Sequence, residues 1–137
     1  MPLSEDTLRR FEIGDINELV VAAGATIFEG AFVFALKADF TAVVDSPAIS
    51  THQFAGVATK HASAGERVRL KHRGWIEMPV TGASAASAGA VVYASDDNTL
   101  TLTAGTNPPV GYIHRHVNGT TCIVEFRSTI ERDTATA

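Results

Sequence analysis

A single cysteine, Cys122, is all the thiol chemistry in the 137-residue sequence, so no internal disulfide can form. That excludes the secreted, disulfide-scaffold class. Charge is sparse as well: 11 Lys and Arg face 15 Asp and Glu, a formal net charge of −4. A protein that wraps nucleic acid carries a basic excess to displace counterions, so no nucleic-acid partner is expected. Long apolar runs are missing. The longest, Ala31 to Leu36, has six residues, whereas a helix spanning a bilayer needs about 20; no membrane partner is expected. Met1 to Arg10 has no apolar stretch behind a basic start and does not read as a signal peptide. The expectation is a soluble protein made and kept in a cytoplasm. In that setting Asn118-Gly119-Thr120, which matches a glycosylation sequon, reads as an Asn-Gly turn.

Leucine is scarce too. Seven Leu stand against 13 Val, 8 Ile and 15 Thr, and branching at Cβ suits a pleated surface better than a helix. The 21 alanines argue the other way, but they gather around glycine and serine rather than at helical spacing. Leu, Ile, Val and Phe together number 35, enough for the core of one domain and too many for wholesale disorder.

Periodicity supports strands. In Arg67-Val68-Arg69-Leu70-Lys71 charges alternate strictly with apolar residues, and Thr99–Thr103 and Cys122–Arg127 show the same period of two. Cys122, Val124 and Phe126 are expected on the inward face. Further strands are predicted at Leu19–Ala23, Ala31–Ala38, Phe54–Lys60, Trp75–Val80, Ala90–Ala94 and Val110–His116, separated by Gly, Pro, Asn and Asp turn residues. About nine short strands at this spacing predict an all-β fold, a small antiparallel barrel or sandwich. Ser4–Phe11, with an N-cap serine, early acids and late arginines, predicts a short helix. Ala83–Ala88 is one helical turn or an open loop. Residues 1–15 and 129–137 read as an N-terminal arm and a C-terminal tail around a β domain at 16–128.

Residues that carry chemistry are few. His114 and His116 flank Arg115 on a predicted strand, which would put both imidazoles on one face, a spacing that can share a metal. No Cys or acidic pair lies nearby, so solvated strand histidines are the plainer reading. His52, His61 and His72 are scattered. Cys122 reads as a small buried apolar residue rather than a nucleophile. Gly82, Gly89, Gly105, Gly111 and Gly119 read as turn glycines, with no phosphate-binding signature. Neither catalytic residues nor a cofactor or metal is expected. The densest positive cluster is Arg67, Arg69, Lys71, His72 and Arg73. It reads as a solvated strand face or as a contact for an acidic protein surface.

Three segments carry a resemblance. They are Gly24-Ala25-Thr26-Ile27-Phe28-Glu29-Gly30-Ala31-Phe32-Val33, then Phe54-Ala55-Gly56-Val57-Ala58, then Ala88–Leu100 followed by Pro109-Val110-Gly111-Tyr112-Ile113. In that order and spacing, across residues 15–127, the chain resembles the small capsid cement or decoration proteins of tailed bacteriophages. The resemblance implies a non-catalytic virion protein, a compact β-barrel or sandwich, usually a homotrimer. It implies binding to the major capsid protein on the outer capsid surface, where such proteins tie neighbouring capsomers together. The charged stretch Ser4–Asp15 is longer and more helix-like than the lead-in of that family, and puts the mode of attachment in question. For partner binding the arm offers Leu8, Phe11 and Ile13, and the basic strand Arg67, Arg69 and Lys71. A segment such as Glu18–Ala23 is suited to adding a strand to an exposed sheet edge. The competing class is a receptor- or carbohydrate-binding head domain, which exposed aromatics would favour; Trp75, the only tryptophan, is expected in the core.

Overall fold

The computed structural model describes residues 16–45 and 47–128. The predicted helix at Ser4–Phe11 lies outside the described residues. Twelve strands follow in chain order: β1 Ile16–Val20, β2 Thr26–Ile27, β3 Phe32–Leu36, β4 Ala42–Val43, β5 His52–Ala58, β6 Ala62–Ser63, β7 Arg67–Lys71, β8 Arg73–Thr81, β9 Val91–Ala94, β10 Leu100–Thr101, β11 Pro109–Asn118 and β12 Thr121–Arg127. The all-β expectation holds, and each of the nine predicted strands has its counterpart. β2, β4 and β6 are additions of two residues each, too short to show a period. Ala85–Ser87 forms one 3-10 turn, capped by the Ser84 side chain accepting from the Ala86 N–H.

Two sheets carry the architecture. The first has the order β1-β7-β5-β3-β4, and the second closes into a barrel, β10-β8-β12-β11-β9. Pairing between the strands is antiparallel except where β10 runs parallel to β8, and a lone parallel bridge joins Val21 to Ala42 of β4; both depart from the purely antiparallel expectation. The β8–β10 pair closes the barrel: a short strand returning from β9 meets the end of β8 in the same direction. The chain passes from sheet to barrel at His72, between β7 and β8.

Side-chain alternation assigns the faces. Phe32, Phe34, Phe54 and Val57 point from the sheet into a core shared with Val92, Leu100, Ile113, Cys122, Val124 and Phe126 of the barrel. Val33, Ala35, Val68 and Leu70 point the other way, into a second core with Leu19, Val21 and Ile27. β3 is therefore buried on both faces, which is why the Ala31–Leu36 run is continuously apolar rather than alternating. The layers meet in an aromatic cluster, with Phe126 edge-on to Phe32 at 6.2 Å and to Phe54 at 6.4 Å between ring centroids. Burying each such ring stabilises by roughly 1.5–3 kcal/mol. Hydrogen bonds tie the same junction: Ser128 Oγ donates to the Phe54 carbonyl at 3.0 Å, and the Phe32 N–H donates to the Asp97 carbonyl at 2.9 Å.

Two glycines have packing reasons. Gly111 is not at a turn, as expected, but inside β11 opposite Phe126; a Cβ there would collide with the Glu125 carbonyl oxygen. Gly56, at φ 146°, sits at an irregularity in the β3–β5 register, and a Cβ would collide with the Lys71 carbonyl oxygen.

β7 shows the predicted register, with Val68 and Leu70 fully buried and Arg67, Arg69 and Lys71 exposed. Val68→Asp should abolish folding by burying an unpaired carboxylate. Arg69→Ala should shift stability by no more than about 0.5 kcal/mol. Urea denaturation of the two variants checks this; the reverse result would place the register one residue out.

Candidate functional site

The outward face of β7 is the first candidate. Arg67, Arg69 and Lys71 stand on it beside β1, where Glu18 lies opposite Arg69 with 3.9 Å between the charged atoms. Both side chains are exposed, so this ion pair holds little energy and leaves the strip available to a partner. The rest of the predicted five-residue cluster separates. His72 is half-buried at the junction, its ring nitrogens without a hydrogen bond among the described residues. Arg73 belongs to the barrel, opposite Arg127. Leu8, Phe11 and Ile13 lie outside the described residues.

β1 itself departs from expectation. Rather than Leu19–Ala23, the strand is Ile16–Val20, and it pairs along its whole length with β7 of the same chain. The segment considered for docking on a foreign sheet edge, Glu18–Ala23, instead pairs within its own chain: its first residues lie on β7, Val21 bridges Ala42 of β4, and Leu19 is in the core.

The second candidate was missed in the sequence. Trp75 is not in the core but 64% exposed on the outer face of the barrel. Strand register lines up Val91 on β9, Tyr112 on β11, Glu125 on β12 and Trp75 on β8 in one row. The Trp75 indole N–H donates to Glu125 Oε1 at 2.9 Å, and the Tyr112 hydroxyl donates to Oε2 at 2.6 Å. His114 stacks on the indole, with centroids 4.2 Å apart and planes at 23°. Each carboxylate oxygen thus has a donor, and the two aromatic side chains are fixed while exposed. A cleft of about 440 Å³ adjoins the row, lined by Val91, Pro109, Tyr112 and Arg127 among others. The signal was present: Arg73, Trp75 and Glu77 share one parity on β8, and the two charges mark that parity as outward.

These bonds shift both ionisations. The Tyr112 proton is held by the carboxylate, which pushes the phenol above its ordinary value. The Tyr112 and Trp75 donors hold the Glu125 carboxyl below its own. Burial alone pushes up the Cys122 thiol, which lies inward with Val124 and Phe126 as expected.

The two strand histidines do not share a task. The β11–β12 register shifts between Ile113 and Arg115; His114 goes to Trp75, whereas Nε2 of His116 lies 2.9 Å from the Gly119 carbonyl and donates to it. Among the described residues no group of three or more His, Cys, Asp or Glu could hold a metal ion.

A prediction follows from the Tyr112–Glu125 bond. In a spectrophotometric phenol titration Tyr112 should ionise above the ordinary value of about 10, because losing its proton breaks the hydrogen bond to Glu125 and leaves two negative charges side by side. Glu125→Ala removes that partner and should move the transition back down, and Tyr112→Phe identifies which transition is its own. An unchanged curve in Glu125→Ala would contradict the bond.

Comparison with known proteins bears on what such surfaces serve. Neither the search of curated proteins nor that of solved structures gave a match. Residues 11–126 match the family model described as phage cement protein. That span takes in every strand from β1 to β12 save the last residue of β12, and the chain belongs to the phage cement protein family.

Proposed function

We propose that the chain is a non-catalytic cement protein that binds the outer surface of a phage head as a homotrimer and stabilises contacts between neighbouring capsomers through the major capsid protein. The observation that carries this reading is the family match over residues 11–126. The surfaces agree with it. Cementing needs area rather than a reaction centre, and the exposed features are strips of sheet: the Arg67, Arg69 and Lys71 face and the row through Trp75. In an acidic protein the β7 strip is suited to an acidic partner surface.

The exposure of Trp75 meets the condition set for a carbohydrate-binding head domain. Two details weigh against that class. The indole N–H is already committed to Glu125, and one ring face is already covered by His114.

In this reading residues 1–15 act as an arm, the β domain runs over 16–128, and residues 129–137 form a tail. The arm is too polar to join a core, yet Leu8, Phe11 and Ile13 give it apolar anchors, the composition of a segment that orders on binding. Deleting residues 1–14 should leave the melting temperature within a few degrees. It should weaken binding to undecorated capsids at least tenfold, about 1.4 kcal/mol. Co-sedimentation of full-length and truncated protein with bare capsids measures this. Unchanged affinity would remove the arm from the interface, and no binding by the full chain would refute the function.

A further inference from the structure

Two surfaces of opposite sign stand on this chain. The first is the outward face of the β1–β7 pair. Residues opposite one another on paired strands share a face, so Arg67, Arg69 and Lys71 stand beside Glu18 and Val20. Arg69 has a loose partner in Glu18, 3.9 Å away and open to water, while Arg67 and Lys71 have no ion pair among the described residues. Glu66, just before β7, is held by Ser63: its Oε1 accepts from the Ser63 N–H at 2.6 Å. Even with both acids counted, the cations are in excess. Val20, 41% exposed, adds an apolar contact opposite Arg67.

The second surface lies between the β2–β3 and β9–β10 loops. Phe28 is 62% exposed, held edge-on against His61 at 5.3 Å. Beside it a cleft of about 470 Å³ is lined by Phe28, Glu29, Asp97 and Asn98 among others, room enough for a guanidinium and its stem. Burial pushes the Asp97 carboxyl up, and the charges that act on it, Asp96 and Asp45, are both negative. Lys60, next to His61 in sequence, is outnumbered by these acids. Both walls are tied down before any partner arrives. The Phe32 N–H donates to the Asp97 carbonyl at 2.9 Å, and the Gly30 N–H to the Ala58 carbonyl at 2.8 Å. Little backbone freedom is left to be lost on association.

We propose that the Arg67–Arg69–Lys71 strip of one copy docks on the Phe28–Glu29–Asp97 cleft of the next. Arg69 stands mid-strip, and its five N–H donors are enough to keep Glu18 while meeting Asp97. Its guanidinium then lies on the exposed Phe28 ring, a cation–π contact. Opposite charges attract weakly in open water and more strongly once a contact excludes it, and they fix which patch meets which. Because the two patches differ, the contact is head-to-tail, and a closed assembly built on it is a ring rather than a two-fold dimer. The inference rests on the self-association proposed above and names its contact.

Charge reversal in the full chain tests this. Light scattering should show self-association that grows with concentration and weakens as added salt screens the exposed charges. Arg69→Glu and Asp97→Lys should each weaken association at least tenfold. Both should leave the circular dichroism unchanged, since Asp97 serves the fold through its carbonyl. Glu29→Lys takes the place of Asp97→Lys should that variant misfold. Combined in one chain, the two reversals restore a pair of opposite sign and should recover most of the lost association. A wild-type chain that stays monomeric at high micromolar concentration would overturn the self-association itself. A wild-type oligomer that survives both single reversals, or a double variant no better than the singles, would overturn this contact and leave the self-association standing. Single variants that assemble as the wild type does but no longer co-sediment with bare capsids would overturn it in favour of patches that face the shell.

Discussion

Phe126 is the point on which both layers lean. It closes the barrel from within β12, and its ring meets Phe32 and Phe54 of the open sheet edge-on. Edge-to-face rings bring a positive rim to a negative face, so the contact adds orientation to burial. Without it the barrel would present an apolar end to water, and the sheet would lose the cover over one face of β3 and β5. The surrounding geometry is arranged to permit this approach. Gly111 stands opposite Phe126 where any side chain would strike the Glu125 carbonyl, and Ser128, directly after β12, donates to the carbonyl of Phe54.

The same strand organises the outside. Inward residues of β12 are Cys122, Val124 and Phe126; outward ones are Ile123, Glu125 and Arg127. Glu125 therefore lies one residue from the aromatic junction and inherits its position from a well-packed backbone. That explains how an exposed carboxylate can keep a tryptophan and a tyrosine in place. A cement protein has to present a stiff surface to its partners, because each side chain left mobile is one more to be ordered on binding. The barrel supplies that stiffness, whereas the open sheet presents a charged strip at its β1–β7 side.

Much of the fold was legible because strands with one wet face write their period into the sequence. β7 and β12 alternate cleanly, and their registers agree with expectation. β3 was legible for the opposite reason, an unbroken apolar run with both faces covered. β2, β4 and β6 could not be read, since two residues carry no period. The parallel β8–β10 pair depends on barrel closure and has no local signature. Gly111 misled because a glycine beside a proline run looks like a turn, and its reason, the Glu125 backbone, lies 14 residues away in sequence. Trp75 misled because size was weighed above parity: Arg73 and Glu77 already marked its side of β8 as outward. The bulge at His114 breaks the alternation that placed it beside His116. The row through Val91, Tyr112, Glu125 and Trp75 is assembled from four strands and exists only in the folded register.

Membership in the cement family underlies the central proposal, that the chain joins neighbouring capsomers from outside the shell. The most direct measurement is a cryo-electron microscopy reconstruction of undecorated heads incubated with the full chain. The account predicts added density on the outer surface that touches at least two capsomers at each occupied position, with the β domain recognisable in it. Density confined to the inner surface, contact with one capsomer alone, or heads that stay bare at saturating protein would contradict it.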